Sequence, residues 1–325
     1  EVVGHAVRAV YMYSGMADVA KETNDKKLKK ACKKLWENLT QKRMYVTGGI
    51  GPTHHNEGFT FDYDLPNETA YAETCASIAL ANWAHRMFHM EPNSEYIDVL
   101  ERTIYNGIIS GLNLNGDRFF YSNRLAALPK EIEANPHGFS LQRQPWFDVA
   151  CCPTNIVRFL PSIPGFIYSK NNAGVSINLY IQSSVVINFK DAEVKINQKN
   201  TQPWDDKCTI EIDSQYEKDI KLYLRIPHWS KRIKVKINNK LQKVSILKGY
   251  ASVSIPANKK SKLDVDLGMD INIIKSHPDV RQNFGRLAVQ RGPIVYCMEE
   301  HDNGPDLHKI LINKKSLEAK NGLLN

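Results

Sequence analysis

The chain has 325 residues, 42% hydrophobic and 24% charged. These ordinary globular proportions exclude a low-complexity or disordered polymer and leave room for about two domains. Its net charge of +8 is spread along the chain, and no apolar run is long enough to span a bilayer, so neither nucleic acid nor a membrane span is expected. Six cysteines in so long a chain do not make a disulfide scaffold.

In chain order, helical spacing of apolar residues predicts helices over about 2–20, 26–42, 69–90 and 94–112. The first opens with Val2-Val3 already reading as helix interior, so a segment upstream of Glu1 is expected. A signal peptide cannot be read from this start, and cytoplasm and periplasm both stay open as locations. In the second helix Leu28, Cys32, Leu35 and Leu39 share one face, which makes Lys26 to Lys34 its wet side.

A long glycine-rich loop follows, Thr47-Gly48-Gly49-Ile50-Gly51-Pro52-Thr53-His54-His55-Asn56-Glu57-Gly58. No βαβ unit surrounds it, so it is not a dinucleotide loop. Loops of this length are more often functional than idle, and this one can present Glu57 over a pocket. The alternative is a solvated loop with Glu57 facing water. Asn115-Gly116 predicts a hairpin turn leading into Phe119-Phe120-Tyr121.

Cys151-Cys152-Pro153 stands out most. Proline favours the first position of a helix, so a short helix is predicted from Pro153, ended by Pro161 and Pro164. A helix start lowers a nearby thiol's pKa. Adjacent cysteines do not readily form a disulfide, and two thiolates side by side need a cation, for which zinc is the first candidate. Upstream, Glu73 and Cys75 complete a set of three sulfurs and one oxygen. The spacing lacks C-x-x-C pairs, and residues two apart on a regular helix point about 200° apart. Glu73 and Cys75 can therefore share an ion only where the backbone is irregular or at a helix end. The alternative is that Cys75, Cys151 and Cys152 are small buried hydrophobes and Glu73 a solvated carboxylate.

Beyond about residue 170 the period switches to two. Val175/Ile177/Leu179, Ile210/Ile212, Leu222/Leu224/Ile226, Ile233/Val235/Ile237, Val253/Ile255 and Leu263/Val265/Leu267 alternate with polar residues. Many short strands between polar turns predict an antiparallel β-sandwich, and the whole reads as an α + β multidomain chain.

Six segments taken in order resemble glycoside hydrolase family 127, whose type activity is retaining β-L-arabinofuranosidase. They are Tyr45-Val46-Thr47-Gly48-Gly49-Ile50-Gly51, Glu57-Gly58-Phe59, Asp62-Tyr63-Asp64-Leu65-Pro66-Asn67, Tyr71-Ala72-Glu73-Thr74-Cys75-Ala76, Cys151-Cys152-Pro153-Thr154-Asn155 and Arg291-Gly292-Pro293-Ile294-Val295-Tyr296-Cys297. The resemblance runs from His5 to about Glu300. It implies that Cys151 is the nucleophile, that Glu73, Cys75, Cys151 and Cys152 hold Zn2+, and that Glu57 is the general acid/base. His5 and Tyr121 would contact an oligosaccharide substrate. For His5 the alternative is a core histidine bonded to a backbone carbonyl.

The fold implied is an (α/α)6 helical barrel followed by β-sandwich domains. Such a barrel needs roughly twice the helices this sequence offers. Residues 1–168 are therefore expected to form its C-terminal half, with the N-terminal half missing. Residues 169–272 would form the β-sandwich, and 273–325 the truncated start of a further β domain or return strands. Half a barrel exposes an apolar face, so a homo-oligomer or an added N-terminal segment is expected, and the isolated chain is expected to be inactive. Three functions compete: hydrolysis of plant cell-wall glycans through a cysteine thioglycosyl intermediate, non-catalytic carbohydrate binding or scaffolding around a structural zinc, and zinc-dependent hydrolysis of another bond.

Overall fold

The computed structural model describes residues 1–127, 142–171, 174–189, 192–313, 317–320 and 323–324. The chain divides into two compact units. The first comprises Glu1–Pro92, Tyr96–Ile163 and Lys275–Leu287, and the second Asn93–Glu95, Pro164–Ile274 and Ala288–Asn325.

The first unit is built on α1 (Ala6–Glu22), α2 (Lys26–Lys42), α3 (Thr74–Met90), all but the first two residues of α4 (Ser94–Thr103), and α5 (Cys151–Phe159). Helix α3 is its axis: Ala76, Ile78, Leu80, Trp83 and Met87 are all fully buried. Trp83 ties three helices together. Its ring centroid is 5.2 Å from Tyr13 of α1 and 5.0 Å from Trp36 of α2, and Trp36 in turn meets Tyr96 of α4 at 5.0 Å. Such edge and tilted contacts add to the area each ring buries. On α2, Cys32 and Leu39 are buried while Lys26, Lys27, Lys30 and Lys34 are exposed, as the amphipathic pattern predicts.

Helix boundaries depart from the periodicity reading in ways that matter for the site. Gly4 takes φ +82°, so the helix expected from Val2 begins only at Ala6, with His5 as N-cap. The helix expected from residue 69 begins at Thr74, because Ala72 is left-handed at φ 38° and Glu73, with ψ 136°, is not helical. After Thr103 the helix expected to reach 112 widens into a π turn over Ile104–Ile108 and then tightens into a 3-10 turn over Ile109–Gly111. Helix α5 starts at Cys151 rather than Pro153. The proline sits in the third helical position, where its missing N–H would have had no partner anyway. The turn around Asn115-Gly116 forms as expected: Gly116 has φ +74°, and Leu112 and Phe119 bridge antiparallel.

The second unit contains β1 (Tyr168–Asn171), β2 (Gly174–Ile177), β3 (Ser183–Phe189), β4 (Ala192–Asn200), β5 (Lys207–Ser214), β6 (Ile220–Arg225), β7 (Lys234–Ile237), β8 (Lys240–Leu241), β9 (Ser245–Leu247), β10 (Tyr250–Ile255) and β11 (Lys260–Asp266). They form two sheets, ordered β1-β2-β6-β10-β9 and β3-β4-β5-β11-β7-β8. One apolar cluster joins Val175, Leu222 and Val253 of the first sheet to Ile196, Ile210 and Leu263 of the second. This is the packing of a β-sandwich. The expectation of a wholly antiparallel arrangement is corrected at one place, since β2 pairs with β6 in parallel. A third, three-stranded sheet follows from β12 (Ile271–Ile274), β13 (Ala288–Arg291) and β14 (Ile294–Tyr296).

Candidate active and metal site

Three segments of the helical unit meet around Glu73. The first is the end of the glycine-rich loop, fastened to the start of α1. Phe59 donates its N–H to the Gly4 carbonyl at 2.9 Å, and His5 and Gly58 bridge antiparallel. A Cβ at Gly58 would lie 2.8 Å from that carbonyl, so only glycine permits the approach. Asn56 and Glu57 are both left-handed, at φ 54° and 45°. The result sets the Glu57 carboxylate against His5, with Oε2 2.8 Å from Nε2. Its other oxygen, Oε1, accepts a 2.9 Å hydrogen bond from Tyr71 OH.

The second segment carries Glu73. Residues 121–123 run beside it: Thr74 donates to the Tyr121 carbonyl at 3.0 Å and Glu73 bridges Ser122. The Asn123 amide donates to the Ala72 carbonyl at 3.1 Å and to Thr74 Oγ1 at 2.9 Å. These bonds hold Ala72 in its left-handed state and place Glu73 just outside α3, with Cys75 in the first turn. The irregular backbone and the helix end required for Glu73 and Cys75 to converge are therefore both present.

The third is the start of α5. Cys151 Sγ lies 3.5 Å and Cys152 Sγ 3.6 Å from Glu73 Oε1, and the two sulfurs are 3.8 Å apart. Ligand atoms of Glu73, Cys75, Cys151 and Cys152 all fall within 4.8 Å of one another, and those of His5, Glu57 and Glu73 form a second such group. Tyr121 OH is 3.0 Å from Cys151 Sγ, so its hydroxyl meets the sulfur directly. All seven residues singled out in the sequence thus sit in one place. Tyr71, which meets the Glu57 carboxylate, was not singled out. It lies inside the segment 71–76, but no spacing rule gives it a partner.

The electrostatics follow from crowding acids in a dry place. Burial, then the nearby Cys151 sulfur and Glu57, push Glu73 up to about 8. Hydrogen bonds from the Cys152 and Cys75 thiols pull Cys151 far below the ordinary thiol value. Its bond to Cys151 pushes Cys75 up to about 12, and burial raises Cys152. Burial and the bond to Cys151 raise Tyr121. One sulfur therefore carries the charge of the cluster while its neighbours stay protonated. Only a cation would let several of these groups ionise together.

The donor set suits such a cation. Glu73 is 2% exposed, and its Oε1 faces the Cys151 and Cys152 sulfurs together, so one carboxylate oxygen and the thiols point at a common centre. A tetrahedral ion with metal–sulfur bonds of about 2.3 Å spaces its sulfurs about 3.8 Å apart, the separation of the Cys151 and Cys152 sulfurs. The cluster can bind a metal ion. Beside it, a cavity of ≈ 520 Å³ reaches Cys75 and Cys151, lined among others by Val7, Tyr11, Asn82 and Arg158.

Residues 1–165 match the catalytic domain described as "Beta-L-arabinofuranosidase, GH127 catalytic domain", 174–269 its middle domain and 271–321 its C-terminal domain. The chain belongs to glycoside hydrolase family 127. It is 36% identical over 310 residues to a non-reducing end β-L-arabinofuranosidase of Bifidobacterium longum subsp. longum, covering 94% of this chain and 47% of that protein. A solved family 127 β-L-arabinofuranosidase from Geobacillus stearothermophilus T6 superposes with a TM-score of 0.91 at 45% identity, covering 94% of this chain and 49% of the other. A second solved family 127 β-arabinofuranosidase gives 0.85 at 40% identity, over 93% and 49%. The chain spans about half the length of each of these relatives.

Proposed function

We propose that this chain carries the catalytic residues of a retaining glycosidase that releases L-arabinofuranose from β-L-arabinofuranosides of plant cell-wall glycans. The observation that carries the proposal is the convergence of an ionisable thiol, Cys151, and a two-point-held carboxyl, Glu57, on Glu73. A retaining mechanism needs a nucleophile below the sugar and a proton donor at the departing oxygen. The Cys151 sulfur attacks C1 and forms a C1–S bond as the C1–O bond breaks, and Glu57 gives its proton to the leaving oxygen. Glu57 then takes a proton from water, whose oxygen attacks C1, and the C1–S pair returns to sulfur.

Glu73, Cys75, Cys151 and Cys152 would hold Zn2+, which when bound favours the thiolate and fixes its position. Four protein ligands fill a tetrahedral shell, so the ion needs no water of its own. His5 and Tyr71 hold Glu57 by its two oxygens, and Tyr121 steadies the Cys151 sulfur. His5 and Tyr121 are also the residues proposed to touch the sugar. Residues 1–168 are proposed as the C-terminal half of an (α/α)6 barrel, completed by a further segment or a second copy, with 169–272 and 273–325 as successive β domains.

The test is turnover of an aryl β-L-arabinofuranoside by the active protein. Cys151→Ala abolishes release of the aryl group, and Glu57→Gln lowers it by about 10²–10⁴-fold. Retained turnover in Cys151→Ala removes the nucleophile assignment. Reactivity towards an arabinofuranosyl bromoacetamide, lost in Cys151→Ala, reports the same sulfur without turnover.

A further inference from the structure

We propose that His5, Glu57 and Glu73 form a second divalent-cation site, separate from the thiol-rich one and sharing Glu73 with it. One imidazole nitrogen and two carboxylates offer ligand atoms within 4.8 Å of one another. His5 Nε2 and Glu57 Oε2 are 2.8 Å apart, close to the bite of two donors at neighbouring positions of one ion. Neither side chain need swing far to admit it. The Glu57 loop is already fastened at Gly58, and Tyr71 holds the other carboxylate oxygen in place. Glu73 supplies an independent sign: it is 2% exposed, and its Oε2 has no hydrogen-bond partner while Oε1 faces the cysteines. A carboxylate can bridge two ions, one through each oxygen. The charge argument points the same way, since Glu57 repels Glu73 and no lysine or arginine forms an ion pair with either among the described residues.

The donor type separates the two sites. Three sulfurs favour a thiophilic ion, whereas imidazole and carboxylates suit a harder or borderline one such as Co2+, Zn2+ or Mn2+. The consequence rests on the reading of Glu57 as the acid/base. With a cation on Oε2 and Tyr71 on Oε1, Glu57 has no oxygen left to protonate, so excess metal would inhibit the enzyme whose first ion it needs.

Anaerobic Co2+ titration tests the second site without using activity. His85 and His89 Nε2 atoms lie 2.9 Å apart on α3 and can themselves chelate, so the titration is done in a His89→Gln background. Calorimetry is expected to count two equivalents. One brings the thiolate-to-cobalt charge-transfer absorption, and the other binds without it. Adding His5→Gln, or separately Glu57→Gln, removes the second equivalent and leaves the charge-transfer band; circular dichroism checks that each is folded. A parent that takes up only the thiolate equivalent overturns the proposal, as does a second equivalent that survives in both variants. Absence of the charge-transfer band would instead sink the thiol-site reading, while the calorimetric difference between the parent and His5→Gln still decides this one.

Discussion

The helical unit and the β unit handle buried polarity and backbone strain differently. In the β unit, Arg225 is fully buried but bound: its Nε donates to the Asn178 carbonyl at 2.5 Å, and Tyr180 OH donates to the Arg225 carbonyl at 2.6 Å. Tyr250 OH reaches Asn178 Oδ1 at 2.8 Å, and Gln198 donates to Tyr168 OH and the Leu179 carbonyl. Three of its left-handed non-glycine residues, Asn238, Asn239 and Asn258, are asparagines and a fourth, Asp306, is an aspartate, types that adopt that state at little cost, which leaves Lys248. Its partnerless buried atoms are the uncharged Gln202 Nε2 and Ser261 Oγ. The helical unit instead places Glu57, Tyr63 and Ala72 left-handed and leaves Glu73 Oε2 and His5 Nδ1 buried without partners. Each such residue costs on the order of 1–3 kcal/mol. Two left-handed residues, Glu57 and Ala72, and two partnerless buried atoms, Glu73 Oε2 and His5 Nδ1, therefore lie at the candidate site, where such departures from the ordinary rules are expected.

The contrast is broken most strongly by removing the proposed metal. Structural zinc sites contribute on the order of 10 kcal/mol of binding free energy, so chelation with phenanthroline under reducing conditions is expected to lower the stability of the helical unit by several kcal/mol. Scanning calorimetry should show one transition moving down and a second, that of the β unit, staying in place. Equal shifts of both, or of neither, would mean that the cluster does not anchor the helical unit.

The reverse experiment is Leu263→Ala. Leu263 is fully buried in the shared core of the two large sheets, and removing its side chain is expected to cost about 2–5 kcal/mol. The loss should appear in the β transition alone, with cobalt stoichiometry unchanged. That outcome would separate packing from chemistry along the line that the distribution of strain already draws.

The same line separates what could be read in the sequence from what could not. Alternation gave the buried faces of β5, β6, β10 and β11 because each turns fully buried residues inward. Strand β3 escaped, since its residues run half-buried to exposed without one that is wholly inside. The parallel pairing of β2 and β6 escaped as well: alternation fixes which face is buried, not which strand lies alongside. Around the site, Glu57, Glu73, Cys75, Cys151 and Cys152 were legible through ordered segments rather than spacing. What makes Glu73 and Cys75 converge is the left-handed Ala72, and alanine gives no local signal for that state. It is imposed by Asn123, about fifty residues away in the chain, which no window of local pattern contains.

A third prediction stays inside the helical unit but away from the thiols. Burial, then the charge of His89, hold His85 down to about 4, with Arg86 adding to the drop and Asp18 opposing it. A depressed histidine contributes stability that is fully present above its unfolded value near 6.5 and is lost as pH falls through the folded value near 4. His89 is depressed in the same sense, by burial and Lys21. Between pH 6.5 and 4 the unfolding free energy from urea titration should fall, by at most about 1.4 kcal/mol per pH unit from His85. His85→Gln should flatten that slope, and an unchanged slope would place its origin in other groups.

The smallest effect tests whether the helical unit's cost is confined to its site. Asp25 is the N-cap of α2, and its carboxylate accepts from the Lys27 and Leu28 N–H groups at 2.7 and 3.1 Å, while also facing the positive end of the helix. It lies on the solvated side, among lysines, with no strained residue next to it except the left-handed Asn24. Asp25→Ala should therefore cost only about 1 kcal/mol, seen as a small drop in the helical transition. Asp25→Asn, which keeps the cap but not the charge, should recover most of it at high salt. Metal uptake should be untouched in both. If Asp25→Ala instead weakened cobalt binding, α2 would be coupled to the cluster through the packed Trp36–Trp83 pair, and the strain around Glu73 would belong to the whole helical unit rather than to its site.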